Sequence, residues 1–226
     1  TTATTYNDYY LYENDINNPA KYGKNWVGED FSTLAGKTDN RTIEFELGTL
    51  SDPASFRVVL ASRGDASPNN FTIARNGTTV GTYQLGSSAW NDDAPPMITK
   101  EVKWDQPDAS GKNTLRLSFA PARTDITGYL DYIEVNTRKT LSYGGSAFVF
   151  RDATTTGVGK VTFYSISNAD GGLQVWDVTD ANNAVKMNGS LSGTNYQFVQ
   201  DASTMHQFAV VNGANAYVPD YVGDRK

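Results

Sequence analysis

The sequence predicts an all-β protein made of two antiparallel β-sandwich modules, the first of them jelly-roll-like. Short runs of alternating apolar and polar residues recur along the 226 residues, each bounded by turn residues. Aromatic residues make up 12% of the chain, with 13 Tyr and 10 Phe, which suits the half-buried surface of a sheet. The stretch "PASFRVVLAS" has some helical spacing, but its β-branched residues favour a strand.

Strand signals come in regular order over the first module, about seven of them, which is enough for a sandwich or jelly roll. In "IEFEL" the three apolar residues alternate with two glutamates, so they face one side of the sheet. The Asn76-Gly77 pair predicts a tight hairpin, because both turn positions need positive φ. In "GYLDYIEVNT", Leu130 and Tyr132 are expected to share a strand face. The other predicted strands are "FRVVLAS", "ITKEVKW" and "NTLRLSFAP", the last with Leu115, Leu117 and Phe119 facing inward.

The strand pattern begins again after Arg138. Between the two series, "TRKTLSYGG" is basic and then Gly-paired, which is typical of a short connection between modules. We therefore place the boundary near residues 138–145, with a first module at 1–138 and a second, smaller module at 139–226. The strands of the second module are predicted at "GGSAFVFR", "KVTFYSIS", "GLQVWDVTD", "NAVKMNG", "NYQFVQD" and "HQFAVVNG".

Composition excludes several kinds of function. Lys and Arg together number 19 against 25 for Asp and Glu, giving a net charge of −6, which argues against nucleic acid as a partner. The chain has no cysteine, so it holds no disulfide, no thiolate metal site and no cysteine nucleophile. No apolar run approaches the roughly 18 residues that span a bilayer, so no transmembrane segment is expected. Because the first residues include neither Met nor a secretory signal, we expect an excised or processed segment. The end "VPDYVGDRK" has no stop signal either, so we expect the natural chain to continue past Lys226.

The histidine and the loop carboxylates are weak candidates for chemistry. His206 is the sole histidine, and without cysteines it cannot complete an ordinary zinc site or triad, so a structural role is expected. No catalytic residue and no cofactor is predicted for this segment. A structural calcium ion stays open as an alternative, although no loop has calcium-loop spacing and turn capping is the preferred explanation of such residues. The carboxylates concerned are Asp15, Asp52, Asp65, Asp92 and Asp93.

Exposed aromatic rings are the remaining candidates for ligand or partner contact. Sugar-binding sandwiches stack pyranose rings on Trp or Tyr, although most large rings in a β-rich chain belong to its core. The candidate contacts are Trp26, Trp90 and Trp104, with Tyr9, Tyr10 and Tyr12 as further members of such a platform.

The Trp176-Asp177 pair in "GGLQVWDVTD" suggests a propeller blade at first sight. A propeller would repeat the pair about every 40–45 residues with a Gly-His pair upstream in each blade. The other tryptophans have unrelated neighbours, and His206 follows the pair. The sequence therefore argues against a propeller.

Three strings, taken together, carry a resemblance to a known family. They are "NWVGEDF" at Asn25–Phe31, "GYLDYIEVNTRKTLSY" at Gly128–Tyr143 and "GGLQVWDVTDANNAV" at Gly171–Val185. In this order and spacing they resemble the N-terminal, pre-peptidase β-sandwich region of PorU-like proteins. These proteins are the gingipain-related cysteine peptidases, or sortases, of the Bacteroidetes type IX secretion system.

This resemblance implies a function for a longer protein. The catalytic histidine and cysteine of the family belong to a caspase-like domain, which would follow Lys226, so no catalytic residue is transferred to this chain. The whole protein would cleave the sorting signal of secreted cargo and attach the cargo to a lipopolysaccharide anchor. The segment would then be a non-catalytic scaffold, or a docking region for cargo or secretion-system proteins, placed on the cell envelope at the outer-membrane surface or outside the cell.

Two alternatives remain from other functional classes, a carbohydrate-binding module and a cell-surface adhesin. Two or three exposed rings over a groove on the first module would favour a glycan ligand. A continuous apolar patch near Tyr217–Val222 would instead favour docking against the following peptidase domain of the same chain.

Overall fold

The computed structural model describes residues 1–19, 21, 26–88, 97–215 and 223. It is nearly all β, with 56% of the described residues in strands or isolated β-bridges and no α-helix among them, which confirms the predicted fold class. No helix in these ranges is long and apolar enough to cross a membrane. The described strands are β1 (Thr2–Ala3), β2 (Thr5–Glu13), β3 (Asp30–Phe31), β4 (Asn40–Glu46), β5 (Ala54–Arg63), β6 (Asn69–Arg75), β7 (Thr78–Leu85), β8 (Ile98–Gln106), β9 (Lys112–Ala120), β10 (Thr127–Thr140), β11 (Phe148–Phe150), β12 (Val161–Ile166), β13 (Leu173–Asp177), β14 (Val185–Lys186), β15 (Ser190–Ser192), β16 (Asn195–Asp201) and β17 (Phe208–Asn212).

Contacts divide the chain into two compact units. The jelly-roll unit is Tyr9–Thr137, and the second unit combines Thr1–Asp8 with Arg138–Lys226. This division differs from 1–138 and 139–226 mainly at the N-terminus, because β1 pairs with β12 and Asn7 bridges to Arg151. The predicted connection after Arg138 also belongs to regular structure, since β10 extends to Thr140.

The jelly-roll unit consists of two sheets with strand orders β2-β10-β5-β8 and β4-β9-β6-β7, and β3 adds to β10. Numbered along the chain, this is the order of an eight-stranded jelly roll with two interlocked Greek keys. The jelly-roll prediction is thereby confirmed. The inward faces of both sheets meet in one core, which includes the predicted residues Ile43, Phe45, Leu47, Leu115, Leu117 and Phe119.

Two local features of this unit test the sequence analysis. The hairpin between β6 and β7 is as predicted, with φ of 47° at Asn76 and 81° at Gly77. The expectation that Leu130 and Tyr132 share a face is wrong. A β-bulge intervenes, because Leu130 pairs with Leu60 while Tyr132 pairs with the adjacent Val59. Leu130 is fully buried in the core, whereas the ring of Tyr132 lies under the guanidinium of Arg57, 5.3 Å from its centroid.

The second unit is also a sandwich, with strand orders β1-β12-β16-β15 and β11-β17-β13-β14. Packed rings fill its core: Phe208 lies 5.2 Å from Phe150 and 5.1 Å from Phe198, centroid to centroid. The pairing of β1 with β12 is parallel, which departs from the antiparallel pattern predicted for both modules. The reason is that β1 comes from the far N-terminus and adds to an edge of the sheet without any hairpin connection.

A buried ion pair joins distant segments of the second unit. Arg138 Nη1 lies 2.9 Å from Asp152 Oδ1, and the two side chains are 16% and 1% exposed. The same guanidinium donates hydrogen bonds to Thr5 Oγ1 (2.6 Å) and to Asn7 Oδ1 (3.1 Å). Burial by itself raises the pKa of Asp152, but the hydrogen bonds from Arg138 and from Thr154 outweigh it and lower the pKa below its ordinary value.

Candidate functional site

A cleft of about 570 Å³ opens on the jelly-roll unit, and Trp104 is part of its wall. Its two sides come from β7 and β8, which are the edge strands of the two sheets. The hairpin contributes Arg75, Asn76, Thr78, Thr79 and Val80, while β8 and the residues after it contribute Trp104, Gln106 and Asp108. The cleft therefore lies where the sandwich is open at its side.

The indole of Trp104 is fixed by a stack on a core ring. It stacks on Phe56 of the neighbouring strand β5, with centroids 4.8 Å apart and planes 12° from parallel. Trp104 is half-buried on the edge strand β8 and lines the cleft there. The indole Nε1 is buried, and no described residue accepts a hydrogen bond from it. Trp104 thus lines the cleft with ring carbons rather than with its N–H.

Arg75 and Asp108 form the polar end of the cleft. The side chain of Arg75 is only 7% exposed, and its guanidinium donates to Asp108 Oδ1 (3.0 Å) and to the Asp108 carbonyl (2.8 Å). Its Nε donates to the buried Asn113 Oδ1 at 2.8 Å. The hydrogen bond from Gln106 and then the charge of Arg75 lower the pKa of Asp108, against an opposing effect of desolvation. The carboxylate and the guanidinium therefore neutralise each other at neutral pH.

The hairpin side of the cleft carries a β-bulge. Ala74 pairs with Thr79 and Ile73 pairs with Gly81, so Val80 is the extra residue of β7. Val80 packs against the core of the unit. A bulge interrupts the regular spacing of hydrogen-bonding groups along an edge strand and re-aims the side chains beside it. This edge is consequently a poor template for adding another strand.

The structure does not bring Trp26 to this cleft. Trp26 is 45% exposed and lies two residues before Gly28, whose N–H donates to the Leu130 carbonyl at 2.7 Å. Trp104 lies in the cross-strand row that reaches β10 at Val135. Along β10, Leu130 and Val135 are five residues and about 16 Å apart, and Trp26 is not among the residues that line the cleft.

The other predicted rings do not build a platform with Trp104. Trp90 lies outside the described residues. Tyr10 stacks on Phe45 at 4.4 Å and packs against the core, as Tyr12 also does. Tyr9 is 62% exposed, on the alternate face of β2. The assignment of Trp26, Trp90 and Trp104 as ligand contacts stays a prediction, and the cleft gives a geometric basis to Trp104.

The loop carboxylates do not gather in the described part of the chain. There, no three His, Asp or Glu side chains are placed to hold a metal ion. Asp65 pairs instead with Arg123 at 2.6 Å. Asp92 and Asp93 lie outside the described residues, so a structural calcium ion stays a prediction.

His206 belongs to a hydrogen-bonded cluster around the Trp-Asp-Val-Thr string. Its Nδ1 lies 2.6 Å from Asp177 Oδ2, while Asp177 Oδ1 accepts hydrogen bonds from the N–H (3.0 Å) and hydroxyl (2.6 Å) of Thr179. Thr179 Oγ1 in turn accepts from the N–H of Gln207 at 2.9 Å. Burial raises the pKa of Asp177, but these hydrogen bonds outweigh it and lower the pKa. The cluster ties the end of β13 to the segment before β17, which fits the structural role predicted for His206.

The first two strings of the family resemblance meet in the jelly-roll unit. β3, which ends the "NWVGEDF" string, pairs with the start of β10, with Phe31 opposite Gly128. A side chain at Gly128 would place its Cβ 2.6 Å from the ring of Phe71, so only glycine fits there. At Gly28 an added Cβ would come within 3.0 Å of the Leu130 carbonyl oxygen. These strings therefore specify a backbone junction.

The fold of the chain matches part of a solved structure over nearly its whole length. No protein-family model matches the sequence, and no curated protein matches it. PorU from Porphyromonas gingivalis, in the crystal structure described as dimeric and latent, matches 98% of this chain with a TM-score of 0.77 and 19% sequence identity.

The sugar-binding modules in the comparison are much less similar. A CBM36 domain of a xylanase from the hindgut metagenome of Trinervitermes trinervoides covers 57% of this chain and 96% of its own, with 16% identity and a TM-score of 0.38. A family 35 module from Clostridium thermocellum covers 57% and 90%, with 16% identity and a TM-score of 0.34. The chain spans about a fifth (21%) of the PorU chain, and it has the fold of that part of PorU, which confirms the PorU-like resemblance of the three strings.

Proposed function

We propose that this chain is a non-catalytic scaffold or docking region of a gingipain-like sortase of the type IX secretion system. The observation that carries the proposal is the match to PorU over 98% of the chain at a TM-score of 0.77. In this proposal the parent protein is a cysteine peptidase that processes secreted cargo at the cell surface. The segment belongs to the cell envelope or the extracellular side.

The chemistry of the chain supports a non-catalytic role. A cysteine peptidase needs a thiolate and a histidine, and the sequence contains no cysteine. Its histidine is held by the carboxylate of Asp177 inside a structural cluster. The strings that carry the family resemblance occupy strand junctions and a turn, which are the parts of a fold that position other elements.

Deletion in the full-length parent protein tests the proposal. First, the reading frame around the chain must encode a peptidase domain with a histidine and a cysteine. The intact protein and a variant that lacks residues 1–226 are then compared for cleavage of a cargo protein bearing its C-terminal sorting signal. We expect the deletion to abolish or strongly reduce cargo processing while a short peptide substrate is still cleaved, because the catalytic groups lie elsewhere.

A substitution within this region provides a second test. Gly128→Ala in the full-length protein disturbs the junction of β3 and β10 without removing any domain. Reduced cargo processing with unchanged peptide cleavage supports scaffolding or docking. A reading frame without a peptidase domain, or a deletion variant that processes cargo at the normal rate, overturns the proposal.

A further inference from the structure

The open side of the jelly-roll unit has the features of a small-ligand site. Its cleft of about 570 Å³ falls within the range of about 300–1,000 Å³ that is usual for such sites. Trp104 lines the cleft from the side of β8, and the hairpin lines it from the side of β7. We propose that this cleft binds a neutral saccharide, with one pyranose ring packed on Trp104 and its hydroxyl groups bound by Asp108 and Gln106.

Trp104 suits the apolar side of a sugar ring. The face of an indole carries partial negative charge, and the C–H groups on one side of a pyranose are polarised positively, so the two surfaces attract. The stack on Phe56 fixes the indole plane before a ligand arrives. A ring that is already immobile loses little side-chain entropy on binding.

The polar groups suit the hydroxyls of the same ligand. Arg75 and Gln106 both donate to Asp108 Oδ1, and the Asp108 side chain is 74% exposed, so its carboxylate is accessible to a ligand hydroxyl. The amide oxygen of Gln106 is a second acceptor beside it. The exposed hydroxyls of Thr78 and Thr79 line the rim.

Buried side chains hold these hydrogen-bond acceptors in place. Arg75 is more than nine-tenths buried and is bonded to Asn113, which is fully buried and donates to the carbonyls of Ala109 (2.8 Å) and Gly111 (2.9 Å). The site is therefore built from the interior outward rather than assembled from mobile surface side chains.

The charges of the residues that line the cleft disfavour an anionic ligand. Among the described residues that line the cleft, Arg75 and Asp108 alone are charged, and they neutralise each other. A phosphate or sulfate group would have to compete with Asp108 for the guanidinium and would be repelled by its carboxylate. A saccharide without acidic groups avoids both costs.

The edge strands β7 and β8 are poorly suited to pairing with an added peptide strand. Strand addition needs an uninterrupted row of backbone donors and acceptors, and the bulge at Val80 interrupts that row on β7. On the other side, β8 carries charged, outward-facing residues, among them Glu101 and Lys103. A compact ring fits the site better than an extended chain.

Binding to the 226-residue chain is tested by recording the indole N–H signals of the isotope-labelled protein by NMR during titration. The neutral probes are maltotriose, cellotriose, mannotriose and triacetylchitotriose, and the anionic probe is a chondroitin sulfate tetrasaccharide. We expect at least one neutral probe to shift the Trp104 signal, with a dissociation constant of about 1 mM or below.

Three variants make the result specific. Trp104→Ala should weaken binding at least about tenfold, which corresponds to about 1.4 kcal/mol. Because that change also removes the stack on Phe56, Thr79→Arg provides a second test: it fills the cleft from an exposed position and leaves the core unchanged. Trp26→Ala is the matched control and should bind like the unaltered chain.

Several outcomes overturn the inference. One is that no neutral probe shifts the Trp104 signal at about 10 mM, well above the expected dissociation constant. Another is that binding persists in Thr79→Arg, and a third is that only the sulfated probe binds. None of these bears on the role of the region in cargo processing, so the two proposals fail independently.

Discussion

Replacing Asp152 by alanine should strongly destabilise the second unit. Its carboxylate is 1% exposed and accepts hydrogen bonds from Arg138 Nη1 (2.9 Å) and from the N–H (3.0 Å) and hydroxyl (2.7 Å) of Thr154. Removing one member of a buried ion pair costs about 3–5 kcal/mol, because the other charge stays buried without its partner. That is a large part of the total stability of a domain, about 5–15 kcal/mol.

Thermal unfolding measures the size of the effect, and hydrogen exchange locates it in the structure. For a unit of this size each kcal/mol corresponds to at least about 4 °C, so we expect the unfolding midpoint of the second unit to fall by about 12 °C or more. Amides of β12, β16 and β17 should lose protection, while those of β5 and β9 in the jelly-roll unit should not.

Two further variants test the contributions of charge and of burial. Asp152→Asn keeps the shape but removes the charge, and should destabilise in the same direction. Asp8→Ala removes a more accessible ion pair with Lys139, in which the side chains are 28% and 25% exposed, and should cost about 1 kcal/mol or less. If both Asp152 variants unfold at the midpoint of Asp8→Ala, the buried pair does not stabilise the unit and the reasoning is wrong.

The remaining predictions concern acid, a glycine junction and the histidine cluster. The pKa values of Asp152 and Asp177 are lowered in the folded state, so the stability that these groups contribute is present above the unfolded pKa of about 3.9 and is lost as pH falls through the folded pKa values. Urea titrations should show that the free energy of unfolding declines below about pH 4 and that Asp152→Asn reduces this decline. An undiminished decline in that variant contradicts the assignment. Gly128→Ala should lower the free energy of unfolding in urea by about 1–3 kcal/mol, because the added Cβ overpacks against Phe71. Gly144→Ala should change stability little, because an added Cβ there meets open space. Equal effects of the two variants would contradict the steric argument. His206→Ala should destabilise the second unit by about 1 kcal/mol through loss of the bond to Asp177, and a larger loss in the jelly-roll unit would show that the cluster acts elsewhere.

Residues whose conformation depends on their immediate neighbours could be predicted from the sequence. The Asn76-Gly77 turn adopts positive φ because its two residues tolerate that conformation better than others do. The alternation in "IEFEL" places Ile43 and Phe45 in the core because side chains in any strand alternate between faces. In the same way, Asp177 bonds back to the backbone N–H of Thr179, only two residues away.

The candidate site could be predicted only in part. Trp104 was a candidate because of its residue type, but nothing local indicates that it stacks on Phe56, 48 residues earlier in the chain, or that its strand is an edge strand. Arg75, Gln106 and Asp108 carried no signal in the sequence. The position of Arg75 directly before the Asn76-Gly77 turn is the nearest to one, since a charged residue ending a buried strand often has a polar partner.

The sequence by itself determined the all-β class, the hairpin, the inward faces of β4 and β9 and the resemblance to PorU-like proteins, because these depend on local periodicity, turn chemistry and short strings. Only the tertiary structure decided the rest. The bulge after Leu130 depends on the pairing of β10 with β5, the place of Thr1–Asp8 depends on the pairing of β1 with β12, and the cleft depends on which strands form the sheet edges. Each of these is a contact between distant residues, and its free energy exists only once the strands have assembled.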